Sequence, residues 1–187
     1  MAGWVEWFQE RRSEGLGTVL SLMVVAAGLA GLLWLGWHLW SRPGSSFDGR
    51  NVSEVMLLDA DGNSHRVGDL NGKVVVLDFW ATWCPPCRLS LPEVAALQAG
   101  QGDQYAVVPV SLDRGGFKDV LPFLKQNPQL ALSALVPANP FTLLTHVGKI
   151  QGIPTTLVVD RQGKVVRSWS GYTPGRLERE LQAVLRP

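Results

Sequence analysis

The most constraining feature of the sequence is a continuous apolar run that ends shortly before two closely spaced cysteines. Residues 74–80 read VVVLDFW, which is typical of a central strand buried on both faces. Cys84 and Cys87 follow, and residues 85–99 read as a helix that ends at Gly100. The fold must therefore place a strand inside a sheet and a helix N-terminus, with both cysteines, directly after it.

This placement indicates what the cysteine pair can do. Cys84 and Cys87 are the only cysteines of the chain. Because they lie three positions apart, they cannot join distant parts of the fold. The free backbone N–H groups and partial positive charge of a helix N-terminus favour a thiolate. We expect Cys84 to be an exposed nucleophile and Cys87 to point inward and attack the mixed disulfide. Pro85 and Pro86 suit a first helical turn. They also remove two hydrogen-bond donors near the Cys84 sulfur, so the thiolate is less stabilised and the pair is expected to reduce its partners rather than oxidise them.

Two further residues are candidates for the same chemistry. Asp78 is a carboxylate inside the apolar run, where burial raises the pKa of such a group. It is a candidate to accept or relay the proton of Cys87, and the alternative is a capping or salt-bridged aspartate. Pro154 precedes a predicted strand and is a candidate cis proline placed against the cysteines. Proline at the start of a strand is also an ordinary feature.

Aromatic and apolar side chains near these residues are candidates for contact with a substrate. Trp80 and Trp83 lie just before the cysteine pair. One of them is expected to shield the pair and offer a flat surface to a partner, and the alternative is that they pack in the core. The candidate substrate contacts are Trp83, Pro85, Pro86 and Ile153.

Metal binding is the other use to which such a cysteine pair is put. A structural zinc site generally needs four ligands, often from two such pairs, and this sequence has no second pair. The only histidines after residue 51 are His65 and His146, and His146 lies in a predicted helix. We therefore expect no metal and no other cofactor.

The remaining pattern predicts an α/β domain, because strands alternate with helices. A turn at residues 59–63 joins two short strands into a hairpin. The predicted strands are 55–58, 65–67, 105–112, 131–136, 155–160 and 165–170, and the predicted helices are 116–126, 142–149 and 174–185.

Residues 16–40 carry no Asp, Glu, Lys or Arg and are long enough to span a bilayer as a helix. Tryptophans near both ends resemble the aromatic belts of membrane spans. The alternatives are a buried core helix and a cleaved signal peptide, but no small-residue cleavage site follows the run. We predict a short cytoplasmic tail at 1–15, an anchor in the lipid bilayer at 16–40, a Ser/Gly/Pro-rich linker at 41–51 and a folded domain at 52–187. The net charge of +1 gives no reason to expect nucleic acid.

Residues 75–88, which read VVLDFWATWCPPCR, resemble the active-site segment of the thioredoxin superfamily. More narrowly, the chain resembles its TlpA/ResA/DsbE-like membrane-anchored branch, with matching segments at 69–73, 152–156 and 160–163. The resemblance covers about residues 52–187. It implies a thioredoxin-like fold, with a central mixed sheet flanked by helices, an N-terminal β-hairpin extension and a central insertion, preceded by one transmembrane helix.

The same resemblance implies a thiol–disulfide oxidoreductase at the bacterial inner membrane, with its catalytic domain facing the periplasm. Cys84 would be the nucleophile, Cys87 the resolving cysteine and Pro154 the cis proline. Clients would be proteins with cysteines or disulfides, such as apocytochrome c or copper-site proteins, chosen by loops 113–117 and 137–141. A membrane electron donor of the DsbD/CcdA kind would recharge the pair.

Two positions depart from that branch. Ser90 stands where many members have Glu, so we expect no acidic group to act from that side. Asp78 stands where many have Asn, and it is expected to take over proton handling. The alternatives that remain are a disulfide oxidase or isomerase and a metal-binding chaperone module.

Overall fold

The computed structural model describes residues 22–34 and 47–186. The chain divides into two compact units, Met1–Pro43 and Gly44–Pro187. In the first unit, residues 22–34 form an exposed α-helix. Within the described ranges, no helix has both the length and the apolar character needed to cross a membrane. The predicted span at 16–40 extends beyond the described residues at both ends, and the predicted tail at 1–15 and linker residues 41–46 lie outside them.

The second unit is built from short strands and helices. The strands in residues 47–186 are β1 Met56–Leu58, β2 Ser64–Arg66, β3 Val74–Trp80, β4 Tyr105–Ser111, β5 Val136–Pro137, β6 Thr155–Val159 and β7 Val165–Ser170, and the α-helices are α1 Pro85–Ala99, α2 Phe117–Gln126, α3 Pro140–His146 and α4 Arg176–Leu185. A four-stranded sheet has the order β4-β3-β6-β7. It is mixed, because β3 pairs parallel with β4 and antiparallel with β6. The predicted α/β architecture with a central mixed sheet is confirmed.

The strand β3 lies at the centre of this sheet, and all of its residues are buried. Alternate side chains point to opposite faces of a strand. Val74, Val76 and Trp80 pack in one core cluster, together with buried residues of α1 and α4. Val75, Leu77 and Phe79 pack in a second cluster on the other face. The uninterrupted apolar run thus reflects burial on both sides.

The predicted N-terminal hairpin is present, and it belongs to a separate small sheet of order β2-β1-β5. β1 pairs antiparallel with β2, as predicted. The turn between them is held by Asp59, whose Oδ1 accepts hydrogen bonds from the backbone N–H groups of Asp61 and Asn63. Gly62 occupies the left-handed region at φ 84°, which glycine adopts without steric cost.

Three of the differences from the sequence-based boundaries have a clear physical reason. Residues 47–51 were predicted as linker but pack on the domain, because Phe47 is buried and the N–H of Gly49 donates to the carbonyl of Val165 at 2.8 Å. The strand predicted at 131–136 is reduced to β5, which pairs with β1, since Ala131 takes a left-handed conformation at φ 46°. Helix α3 begins earlier than predicted because the side chain of Asn139 caps it.

Candidate active site

The cysteine pair lies at the junction between β3 and α1. Cys84 is the N-cap residue of α1, and its Sγ accepts a hydrogen bond from the backbone N–H of Cys87 at 3.2 Å. Pro85 and Pro86 occupy the first two helical positions, where a missing N–H leaves no helical bond unmade. The two sulfurs form a disulfide with an S–S distance of 2.04 Å and a Cα–Cα distance of 5.3 Å. The two sulfurs therefore meet across the first turn of α1.

The exposure of Cys84 differs from the expectation. Its relative exposure is 3%, and that of Cys87 is 0%. The sulfur of Cys84 is covered because it is bonded to Cys87 beneath it and lies 3.6 Å from the carbonyl oxygen of Ile153. The expectation of an exposed Cys84 is therefore wrong for the disulfide form. Pro85 and Pro86, directly beside it, are exposed.

The segment opposite the cysteines contains the predicted cis proline. The Ile153–Pro154 peptide bond is cis, and Pro154 is buried while Ile153 is half-buried. The hydroxyl of Thr155 donates to the carbonyl of Gly152 at 2.6 Å and lies 2.7 Å from the hydroxyl of Ser170. These bonds tie the segment to β7, so the Ile153 carbonyl is held against the Cys84 sulfur.

Asp78 is buried, with 1% exposure. Its Oδ1 accepts a hydrogen bond from the hydroxyl of Thr156 at 2.8 Å, whereas its Oδ2 is buried with no partner among the described residues. Its neighbours on the same face of β3, Val76 and Trp80, belong to the core cluster that contains Cys87. Burial raises the pKa of Asp78 to about 6; the Glu93 carboxylate adds to the rise, and the Thr156 hydrogen bond opposes it.

The two tryptophans before the cysteine pair have different environments. Trp80 is fully buried and its ring centroid lies 5.6 Å from that of Phe123, so it is a core residue. Trp83 is 65% exposed beside the cysteines. Trp83 is therefore the one that can offer a surface to a partner.

The loop before Cys84 is held by a carboxylate that was not predicted from the sequence. Asp113 is buried, and it accepts hydrogen bonds from the N–H of Thr82 at 2.9 Å, the hydroxyl of Thr82 at 2.7 Å and the hydroxyl of Ser111 at 2.8 Å. The guanidinium of Arg88 donates to the carbonyl of Thr82 at 2.7 Å. The signal in the sequence was its place just after β4, because the carboxyl ends of parallel neighbours meet at one edge of a sheet.

The α1 side carries an acidic residue near Asp78, although not at the position of Ser90. Ser90 donates its hydroxyl to the carbonyl of Cys87 at 2.9 Å, and it carries no charge. Glu93, one helical turn further along α1, raises the pKa of Asp78. Glu93 and Asp78 line the same small cavity, so this helix places a carboxylate near Asp78. Across the described residues, no three His, Cys, Asp or Glu side chains are grouped to hold a metal.

Proteins of similar sequence agree with this geometry of the site. The Redoxin family model matches residues 47–185. The chain belongs to the Redoxin family. This redoxin is 30% identical over 138 residues to the thiol-disulfide oxidoreductase ResA of Bacillus cereus strain ZK / E33L, covering 73% of the chain and 78% of that relative. A ResA of Bacillus cereus strain ATCC 10987 aligns over 93% of the chain and 98% of its own length at 24% identity.

Solved structures agree with the fold. The crystal structure of a Chlorobium tepidum protein proposed to be the thiol:disulfide interchange protein DsbE superposes with a TM-score of 0.64 and 32% sequence identity, covering 74% of this redoxin and 98% of that chain. The fold is therefore thioredoxin-like, and the resemblance to the TlpA/ResA/DsbE-like branch is confirmed. Together with the cysteine pair at disulfide distance, these relatives show that this redoxin is a thiol–disulfide oxidoreductase.

Burial of Asp78 makes the stability of the domain depend on pH. Its pKa of about 6 in the folded state exceeds the ordinary value of 3.8, so the folded state binds more protons between these values. The contribution of this bound proton to the free energy of unfolding is fully present below about pH 4 and is lost as pH rises through about 6. We predict that the free energy of unfolding of the oxidised Asp78→Asn variant, relative to that of the native protein, increases by on the order of 3 kcal/mol from pH 4 to pH 8. Urea unfolding at both pH values measures this change, and a difference that does not vary with pH contradicts the assignment.

Proposed function

We propose that this redoxin is a membrane-anchored reductase of disulfides in client proteins. The Cys84 thiolate attacks a client disulfide, a mixed disulfide forms, and one client thiolate leaves. The Cys87 thiolate then attacks the Cys84 sulfur, which releases the second client thiolate and leaves the Cys84–Cys87 disulfide. Two electrons pass from the dithiol to the client, and a membrane donor of the DsbD/CcdA kind returns them.

The reductase direction is supported by the small number of hydrogen bonds available to stabilise a negative charge on the Cys84 sulfur. The described structure shows a single hydrogen bond to it, from the N–H of Cys87, because Pro85 and Pro86 have no N–H. The Ile153 carbonyl oxygen, 3.6 Å away, presents a partial negative charge. A poorly stabilised thiolate makes the reduced pair a stronger reductant.

Asp78 serves as the proton acceptor in this proposal. Cys87 is fully buried, so its thiol needs a base within the protein to become a thiolate. A base works best when its pKa lies near the operating pH, and the raised pKa of Asp78 moves it in that direction. Its place on the face of β3 that packs against α1 supports this role.

Client proteins would contact the surface around the disulfide. Trp83, Pro85 and Pro86 are exposed there, and Ile153 is half-buried opposite them. Aromatic side chains provide large contact areas in protein interfaces. Apocytochrome c or copper-site proteins would suit such a site, and loops 113–117 and 137–141 would select among clients.

The anchor rests on residues 16–40, which have no charged side chain. One ResA relative aligns over 93% of the chain, so the similarity extends into this segment. We propose a single-pass protein of the bacterial inner membrane with the catalytic domain in the periplasm, an oxidising compartment.

One observation favours the opposite direction. Cys84 lies at the N-terminus of α1, and the dipole of a helix stabilises a thiolate there. A disulfide oxidase or isomerase is therefore the second candidate, and the reduction potential decides between the two.

The prolines between the cysteines provide the first test. We predict a potential near that of thioredoxin, about −270 mV, rather than near the value of a strong oxidase, about −120 mV. Pro86→Ala restores one backbone donor, and a hydrogen bond to a charged acceptor contributes about 1.5–3 kcal/mol. The potential should therefore rise by roughly 30–60 mV.

Equilibration with glutathione or thioredoxin, followed by alkylation and mass measurement, gives both potentials. Pro92→Ala is the matched control, because Pro92 is an exposed proline of the same helix about two turns from the sulfur, and its potential should stay at the native value. A native potential near −120 mV, or equal shifts in both variants, would overturn the reductase assignment.

The anchor has an independent test. The full-length chain, expressed in a bacterium, should stay in the membrane pellet after alkaline carbonate extraction, whereas a chain that begins at Gly44 with a cleavable export signal should be recovered in the soluble periplasmic fraction. Protease added to spheroplasts should digest the full-length catalytic domain. Extraction of the full-length chain by carbonate, or protection from protease, contradicts the proposed topology.

A further inference from the structure

A small cavity lies next to the buried carboxyl of Asp78. Its volume is about 20 Å³, and its walls include Asp78, Ser90, Glu93, Pro154 and Tyr172. A site of roughly 10–15 Å³ is large enough for one water molecule when polar groups surround it. Asp78 Oδ2 is buried with no hydrogen-bond partner among the described residues. The cavity therefore combines an unpaired buried acceptor with room for a water that can donate to it.

The fold holds Glu93 firmly at the wall of this cavity. Its Oε2 accepts a hydrogen bond from the N–H of Gly175 at 3.2 Å, and its Oε1 lies 3.5 Å from the N–H of Glu178. Gly175 is the N-cap residue of α4, so Glu93 caps that helix from α1. The carboxylate of Glu93 therefore lies at the positive end of the helix dipole. Glu93 is half-buried, so its carboxylate links the cavity to solvent.

Other groups that titrate or carry charge near Asp78 come from three elements. Cys87 lies on α1, and Tyr172, which follows β7, lines the cavity. The guanidinium of Arg176 on α4 lies over the ring of Trp169, 4.9 Å from its centroid, and Trp169 lines the cavity as well. Among the groups that line the cavity, Glu93 is the one that carries a negative charge beside Asp78 at neutral pH.

We propose that Glu93 is a positioning residue for thiol–disulfide exchange: it holds a second negative charge beside Asp78 and carries protons between that buried carboxyl and solvent. This inference rests on the proposed role of Asp78 as proton acceptor. The Cys87 thiol gives its proton to Asp78, and the resulting thiolate forms the bond to the Cys84 sulfur as the client thiolate leaves. The proton then moves from Asp78 through a water in the cavity to Glu93 and out to solvent. No electron moves in the proton steps.

The test measures the resolving step without a protein client. Reduced full-length protein reacts with 5,5′-dithiobis(2-nitrobenzoate), and the second release of thionitrobenzoate reports the attack of Cys87 on Cys84. Its rate is followed by stopped flow across pH in the native protein and in the Glu93→Gln, Asp78→Asn and Glu178→Gln variants. Glutamine keeps the shape and one capping acceptor of Glu93 but removes the charge. Glu178 is an exposed acidic residue of α4 whose backbone N–H lies near Glu93 but which does not line the cavity. Because Glu178→Gln keeps that N–H and removes only the side-chain charge, it is the matched control.

We expect the rate of the native protein to rise along one limb as Asp78 loses its proton. Glu93→Gln removes the repulsion that raises the pKa of Asp78, so this limb should move to lower pH, and the plateau should fall several-fold because Asp78 becomes a weaker base. Asp78→Asn should abolish the limb, and Glu178→Gln should leave the profile unchanged.

If Glu93→Gln lowers the melting temperature but leaves the profile in place, Glu93 is only a helix cap and the inference is overturned, while the role of Asp78 stands. If Asp78→Asn also leaves the profile in place, both the Asp78 role and this inference fail. Titration of the Asp78 side-chain carboxyl by carbon-13 NMR in the oxidised protein provides a second reading, because a structural role for Glu93 would not lower that pKa.

Discussion

Burial of β3 on both of its faces determines where every functional group of this redoxin lies. One face packs against α1 and α4, and the other packs against the core that includes the N-terminal hairpin. Because both faces are covered, the strand cannot shift its register by one residue without moving apolar side chains and Asp78 to the wrong side. The cysteines follow the C-terminal end of this strand, so their position is set by the packing of the core rather than by local preference.

The same strand carries a group that works against stability. A buried carboxyl disfavours its own charged form, and Asp78 has one hydrogen bond, from Thr156, to offset this cost. An apolar or amide side chain would cost less free energy to bury at this position in the core. A carboxyl on the face of β3 that packs against α1 therefore fits the proposed role in proton transfer, and residues at functional sites are commonly less favourable for stability.

The loop that bears Cys84 is fixed from two directions. Asp113 accepts three hydrogen bonds at the end of β4, two of them from Thr82, and Arg88 returns from α1 to the carbonyl of Thr82. On the other side, the segment at Ile153 and Pro154 is tied to β7. We expect a dithiol site held between two anchored segments to keep its geometry when the disulfide opens and closes, which exchange through a mixed disulfide requires.

The sequence allowed the local features to be predicted and left the distant ones hidden. The buried run of β3, the helix after Cys84, the hairpin at Asp59 and the cis peptide before Pro154 each have a signature within a few residues. Asp113 and Glu93 were missed because their partners, Thr82, Gly175 and Asp78, lie far away in the chain. The cover over Cys84 was missed for the same reason, since part of it comes from Ile153, 69 positions away.

In the proposed mechanism, the Cys84 sulfur bonds to the client and the Cys87 sulfur releases it. The most direct measurement is trapping in cells, with the full-length Cys87→Ala and Cys84→Ala variants treated with acid before alkylation. Mass spectrometry should find client cysteines linked to Cys84 in the Cys87→Ala variant, and reducing agent should release them. Cys84→Ala should trap none. Clients linked to Cys87 in Cys84→Ala, with none on Cys84 in the other variant, would contradict the account.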